Sequence, residues 1–466
     1  MNLFRFGFAG LGLAAALAFP SATEARPFRG PIDWDFLLCR FSDAAAPLHP
    51  KSYYEDMLVN SGTKGLADYI HDVSYGASSV EGTVSEWLVE PYSTAHELGL
   101  KNRKQRWRDC IATANDGKFV KPKKRVYVIT DPGADLVGFE NVGAVGKDMD
   151  LKKKSGAGTA LPEVAHEFGH GIGLVHSFGD NLTFRDGGAP GEYDNPWDLM
   201  SAAHIFVNPT HAFGGGPPLL EAQHLDEMGW LPMSRILTVG AGGVTSQTVT
   251  LAALTHPTAS GFLLARVLFD PHDRFHYYTV EYRVNDGWDS GIPQNTLLIN
   301  ELRYRASGKY YETVLQFDLD RYVPYKKRPH FTNAPLQEIN ANGVTIALVS
   351  AGADHATVKI ATQYQAATSD YAGTDEYGPN TCAVGYVWRV ADDQDYVCVT
   401  PDVHAQTLAD NADKDKRHKS GSRDCARGYV WRGAFPDDEV CVRPAVRDQA
   451  RSDNAAAPKR LMNAKT

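Results

Sequence analysis

Residues 166–176, His-Glu-Phe-Gly-His-Gly-Ile-Gly-Leu-Val-His, constrain this chain more than any other stretch. His166 and His170 stand four apart, so a helix places both imidazoles on one face, one turn from each other, where they can grip a single metal ion. Glu167 lies between them and can reach a water held by that metal without binding the metal itself. Gly173 tolerates a left-handed backbone, which predicts a helix end there and a turn that brings His176 back to the same ion. Three neutral imidazoles leave one tetrahedral position open, the mark of a catalytic rather than a structural zinc site. The bland alternative is a helix with three incidental histidines. It fits poorly, because His166 and His170 sit in a small, apolar segment where unpaired polar groups are costly.

The stretch resembles the long zinc signature HExxHxxGxxH of the metzincin metallopeptidases. That family also carries a methionine turn beneath the metal, and residues 194–201, Asp-Asn-Pro-Trp-Asp-Leu-Met-Ser, supply one with Met200 as its methionine. The wording of that turn is similar to the gametolysin-like and immune-inhibitor-A-like branches. Some metzincins add a tyrosine ligand two residues after the methionine. Here that position is Ala202, so the resemblance implies three protein ligands, His166, His170 and His176, around one catalytic zinc. It implies an endopeptidase with Glu167 as general base and Met200 as an apolar floor without chemistry of its own. It covers about residues 30–365, closely at 166–201 and loosely elsewhere.

At 466 residues the chain is too long for one core, and two or three domains are expected. A net charge of −9 gives no reason to expect a nucleic-acid partner. No run of eighteen apolar residues lies outside the N-terminus, so no internal membrane span is expected. Residues 1–25 read as a secretory signal, with Arg5 at its positive start, an apolar run over 6–19 and cleavage after Ala25, or after Ala22 as the alternative. An uncleaved anchor is the competing reading. Export to an extracellular or periplasmic space makes the six cysteines disulfide candidates.

The catalytic domain is assigned to 30–232. Its strands are expected at 36–39, 80–89 (as a strand pair), 125–130 and, more weakly, 139–146. In the family a strand like the last borders the cleft and pairs with extended substrate. Residues 94–114 read as one helix with a basic, solvated face. Cys39 and Cys110 are expected to pair. Residues 152–158 read as a loop, Thr159 as the cap of the metal-binding helix, and Pro162 as part of its first turn. The loop between His176 and Met200 carries Asp180, Asp186, Glu192, Asp194 and Asp198. No calcium-loop pattern supports an ion there, and plain loop chemistry is the preferred reading. Asn181-Leu-Thr183 fits a glycosylation acceptor. Residues 218–230 read as a helix closed by Gly229. His204, His211 and His224 are read as structural or exposed rather than as ligands.

From residue 235 the pattern changes to short strands of period two, expected at 235–239, 248–251, 262–269, 277–283, 296–302, 344–349 and 356–360. This predicts an all-β sandwich over 235–362. Residues 363–381 read as a linker. Then Cys382-Ala-Val-Gly-Tyr-Val-Trp-Arg389 recurs as Cys425-Ala-Arg-Gly-Tyr-Val-Trp-Arg432. Two repeats follow, 382–424 and 425–466, each expected to be stapled internally, Cys382 to Cys398 and Cys425 to Cys441. Trp388 and Trp431 are expected to form miniature cores; stacking on sugar rings at a surface is the alternative.

The fold class expected is therefore an α+β metzincin-type catalytic domain, an all-β sandwich and two small disulfide-stapled repeats. The activity expected is secreted, zinc-dependent cleavage of protein or peptide substrates. A secreted binding or adhesion protein on the same scaffold is the alternative, and zinc hydrolysis of a non-peptide substrate the third reading.

Overall fold

The computed structural model describes residues 27–47, 49–100, 103–120, 122, 124–131, 145–147, 160–180, 189–202, 205–304, 311–317, 335–366 and 376–462. The expected signal at 1–25, the loop at 152–158, the Thr159 cap, the Asn181 acceptor, Asp186 and His204 lie outside them.

The first layer is a parallel sheet. Strand β1 (Gly30–Arg40) is followed by helices α1 (Lys51–Leu58) and α2 (Leu66–Val73), strand β2 (Ser78–Val89), helices α3 (Thr94–Gly99) and α4 (Arg103–Ala114), and strands β3 (Arg125–Asp131) and β4 (Val145–Lys147). The strand order is β2-β1-β3-β4, with β1 parallel to β2 and β3, and β3 parallel to β4. Parallel neighbours need crossovers, and the helices supply them. Residues 80–89 belong to one continuous strand rather than a pair, because all of β2 is drawn into register with β1. The expected single helix at 94–114 is two, since Leu100 takes extended backbone after α3.

Cys39 at the end of β1 is bonded to Cys110 on α4. Beside this staple the Glu90 side chain is fully buried, with no hydrogen-bond partner for either oxygen. Burial first, then the Glu97 and Asp109 carboxylates, push its carboxyl up to about 8. A carboxyl raised in the folded state contributes fully below its unfolded value and loses that contribution as pH rises through the folded one. Glu90→Gln is therefore expected to raise the thermal midpoint above pH 8 and to leave it nearly unchanged below pH 4.5. A melting series of both proteins across pH checks this, and equal shifts at both ends would contradict it.

Helix α5 (Leu161–Gly171) carries the first two histidines and packs on this sheet. A Cβ at Gly171 would stand 2.4 Å from the Trp34 ring of β1, so the glycine lets the helix sit close. Strand β5 (Phe178–Gly179) follows, then helix α6 (Ala222–Glu227). The expected helix over 218–230 is only this short one. The peptide N–H groups of Leu219 and Glu221 are taken by the carboxylates of Asp289 and Asp198 instead of a helical ladder. Gly229 does end it, at φ +69°.

Strands β6 (Ile236–Val239), β7 (Thr245–Ala252), β8 (Leu264–Leu268), β9 (Tyr277–Arg283), β10 (Thr296–Tyr304), β11 (Tyr311–Leu315), β12 (Glu338–Ala341), β13 (Val344–Ala351) and β14 (His355–Thr362) complete the second part. They form two sheets, ordered β5-β11-β10-β9-β8-β6 and β12-β13-β14-β7. Tyr278, Val280 and Tyr282 of β9 join Leu297, Ile299, Ile346, Val358 and Ile360 in the core between them. The alternate β9 residues Thr279, Glu281 and Arg283 are buried as well, yet polar. They face α6 and the segment before it, where Glu281 accepts from the Ala222 N–H. This sheet therefore has two covered faces, one apolar and one polar. Its edge strand β5 comes from the chain just after His176, and Phe178 and Gly179 pair in parallel with Val314 and Leu315.

The last elements are β15 (Val387–Trp388), β16 (Cys398–Val399), α7 (Pro401–Ala412), β17 (Val430–Trp431), β18 (Cys441–Val442) and α8 (Pro444–Ala456). Both staples, Cys382–Cys398 and Cys425–Cys441, are formed. The two units interlock around a pseudo-twofold axis. Arg389 donates to the Ala434 carbonyl and Arg432 to the Ala391 carbonyl. Ala426 N–H donates to the Arg417 carbonyl at the start of the second unit, and Ala383 N–H to the Arg460 carbonyl at the start of the first. The end of the chain thus gives the first unit what the intervening segment gives the second. The expected tryptophan core is corrected for the second unit, where Trp431 is 46% exposed, while Trp388 is half-buried against Tyr396; Arg389 and Arg432 are 1% exposed, each bidentate on Asp395 or Asp438. The first unit docks on the N-terminal part through Asp392 to Arg29, Asp393 to Ser234, and the Tyr396 hydroxyl to the Leu231 carbonyl at 2.7 Å.

Among the described residues no helix is long and apolar enough to cross a membrane.

Candidate metal centre

Helix α5 starts without a side-chain cap at Ala160, with Pro162 in its first turn, and runs through His166 and His170. It stops at Gly171, two residues before the glycine expected to end it. Gly173 has φ +107°. The Gly173 N–H donates to the His170 carbonyl at 3.0 Å and the Leu174 N–H to the Gly169 carbonyl at 3.0 Å. This paired closure is what a glycine after the helix cap permits, and it reverses the chain within three residues. His176 is thereby returned to the helix face carrying His166 and His170. Ring centroids lie 4.8 Å apart for His166 and His170, 4.6 Å for His170 and His176, and 5.4 Å for His166 and His176. One nitrogen from each lies within 4.8 Å of the others.

The far side of each ring is fixed. His166 Nδ1 donates to the Leu199 carbonyl at 2.8 Å, and His170 Nδ1 to the Leu174 carbonyl at 2.9 Å. His176 Nδ1 donates to Glu192 Oε1 at 2.7 Å. These partners accept, so in the neutral ring the proton sits on Nδ1 and Nε2 carries the lone pair. Yet His170 Nε2 and His176 Nε2 stand 2.9 Å apart. Two lone pairs repel at that distance unless a positive centre lies between them. The residues present therefore fit a divalent metal, and the donor set of three imidazoles suits zinc. Burial, then the neighbouring His166 and His176, hold the His170 imidazole well below its ordinary value. It stays neutral and ready to ligate at physiological pH.

Met200 is fully buried under the helix. A Cβ at Gly169 would lie 2.4 Å from its sulfur, so the third residue of the turn between the histidines must be glycine for this floor to fit. The Met200 N–H is held by Asp198 Oδ2 at 3.1 Å, and the Met200 carbonyl accepts from Ser177, next to His176. Glu167 is 7% exposed and lies on the sheet side, close enough to Tyr127 to raise its phenol.

Two residues at this centre escaped the sequence. Glu192, one acid among several in its loop, holds His176 and also accepts from the Ala189 N–H at 2.6 Å. Tyr193 lies with its ring 4.2 Å from that of His176 and adopts φ +64°. A bulky residue at positive φ costs about 1–3 kcal/mol and persists where its surroundings over-determine it. Neither residue has a fixed spacing that a pattern could catch. Carboxylates behind ligating histidines orient the ring and raise its basicity. Glu192→Ala is therefore expected to weaken zinc binding about 10–100-fold, measured by competition with a chromophoric chelator; unchanged affinity would contradict this role.

His211 is half-buried and lies away from the histidine cluster, its ring beside Trp288. His224 is fully buried between Asp198 and Glu221. Asp194 and Asp198 are fully buried structural groups, while Asp180 pairs with Arg303. Strand β4 takes the sheet edge and shares only Val145 and Gly146 with the strand expected at 139–146, whose residues 139–144 lie outside the described ones.

No protein-family model matches the chain, and no curated protein matches it.

Proposed function

We propose that the chain is a zinc-dependent endopeptidase of the metzincin type, acting outside the cytoplasm. The observation that carries this reading is the convergence of three imidazoles, one nitrogen of each within 4.8 Å of the others, whose Nδ1 atoms are all held by acceptors. A structural zinc site would recruit a fourth side chain. Among the described residues no fourth histidine, cysteine or carboxylate joins the group, and the three ligands leave a coordination position for substrate chemistry.

His166, His170 and His176 would hold the zinc, which supplies Lewis acidity to a scissile carbonyl and acidifies water. Glu167, adjacent to His166 on the buried helix, takes the proton from the attacking water and passes it to the departing amine. Met200 and Gly169 set the depth of the helix, and so the height of the histidines, without touching substrate. Glu192 fixes the His176 ring. Among the described residues β4 is the edge strand of its sheet, and an extended substrate can join such an edge as an added strand. The three disulfides support an oxidising compartment.

The test is hydrolysis of casein by the purified protein beside Glu167→Gln, with zinc counted in both. Cleavage lost in a variant that keeps zinc supports the reading. Zinc bound without cleavage by either protein overturns it and leaves the repeats as the seat of a binding function.

A further inference from the structure

A second group of ligand-type side chains lies under the methionine turn. Asp198, two residues ahead of Met200, Glu221 and His224 are all fully buried. His224 Nδ1 stands 3.2 Å from Asp198 Oδ2 and 3.6 Å from Glu221 Oε1, and one donor atom from each lies within 4.8 Å of the others. Neither ring nitrogen of His224 makes a hydrogen bond. Its Nδ1 thus sits among the carboxylates without aiming an N–H at either oxygen. We propose that Asp198, Glu221 and His224 form a second metal site that takes a zinc-type divalent cation, buried between the methionine turn and the sheet of β9–β11.

Three arguments support it. The first is spacing. Donors at about 2.0–2.1 Å around a tetrahedral zinc lie roughly 3.3 Å from one another, which matches 3.2 and 3.6 Å. A charge-assisted ion pair would be shorter, about 2.7–2.9 Å, and aligned.

The second is the state of the carboxylates. Asp198 Oδ1 accepts from the Glu221 N–H at 2.8 Å and Oδ2 from the Met200 N–H at 3.1 Å. Glu221 Oε2 accepts from Asn195 Nδ2 at 3.1 Å, and Oε1 from the Thr313 hydroxyl. Each oxygen keeps one lone pair for a metal; burial and then the Asp198 charge push the Glu221 carboxyl well above its ordinary value, a cost to its anion that a cation beside it would offset.

The third is charge. Glu281 and Asp289 are fully buried nearby, and the one guanidinium among these groups, Arg283, is committed to both of them. With all four carboxylates ionised, one fixed cation would leave three negative charges uncompensated, which buried protein does not tolerate cheaply; burial accordingly pushes the Glu221 and Glu281 carboxyls up. An imidazolium at His224 removes one of them; a divalent cation removes two. Burial by itself would lower the His224 imidazole, but Asp198 and Glu221 pull it up to about 10, so a proton is the competitor for this place. One imidazole and two carboxylates suit zinc better than calcium, which takes six to eight oxygens. Asn195 Oδ1, buried and without a hydrogen-bond partner, sits on the carboxamide that touches Glu221.

The test counts metal in full-length protein stripped by chelating resin, reloaded with zinc at pH 7.5 and freed of excess (~pH 7.5 keeps unshifted imidazoles neutral). Wild type is expected to hold about two zinc ions, and both His166→Ala/His170→Ala and His224→Gln about one each. In the double variant, X-ray absorption is expected to show one imidazole among oxygen donors. That variant leaves every residue of the second site in place, so the result does not depend on His224→Gln folding. One ion in wild type and none in the double variant would overturn the second site and identify His224 as a buried imidazolium. One ion in both would support it and remove the three-histidine centre instead, which separates the two readings.

Discussion

Glu167→Gln is expected to lower casein hydrolysis by about 10²–10⁴-fold, the usual worth of a general base, while leaving zinc content unchanged. The substitution keeps the shape of the side chain, and Glu167 is not among the converging nitrogen donors. It sits one residue from His166 in a helix that buries both. What the variant loses is the ability to take a proton. A ligand variant such as His170→Ala loses activity by a different route, through the metal, and zinc content separates the two. Retained zinc with retained hydrolysis would show that the proton goes elsewhere, and Tyr193, beside His176, would become the first residue to examine.

Arg283→Met is expected to destabilise the whole protein by about 3–5 kcal/mol, the cost of removing one partner from a buried ionic group. Arg283 has no exposure and binds Asp289 through two bonds of 2.6 Å, with Glu281 at 3.0 Å. Without it two carboxylates remain buried opposite Asp198 and Glu221. Those residues hold the methionine turn, so the damage should not stay in the β sheets. A lower urea midpoint with one shared transition for near-UV signal and zinc release is the expected outcome. A two-step curve in which zinc release is unaffected would mean that the β sheets and the N-terminal part fold separately. For the same reason a chain ending at residue 232 is expected not to fold. It lacks Thr313, which binds Glu221, Arg266, which binds Asp226 through both nitrogens, and β11, which pairs with β5.

How much of this was legible beforehand follows from the range of the interactions. His166, Glu167 and His170 share a helix turn, and Gly173 closes it, so a motif of eleven residues carries its own geometry. The period-two pattern at 277–283 is equally local, and β9 occupies those residues. The 43-residue offset of the repeats and their staples is a property of sequence alone. Where the reading went astray, a distant group had taken over the backbone: Asp198 and Asp289 capture the N–H groups that a helix over 218–230 would have used, and register with β1 keeps residues 80–89 in one strand.

The sequence by itself determined the three imidazoles and their reversal, because each depends on neighbours within a few residues. Only the tertiary structure decided that Met200 lies under Gly169, which of several loop acids stands behind His176, which face of β9 is ionic, and that the chain after His176 pairs with a strand more than a hundred residues further on. Those choices are set by burial: a carboxylate taken out of water must find its partner wherever the fold brings one. Neither spacing nor residue type announces which one that will be.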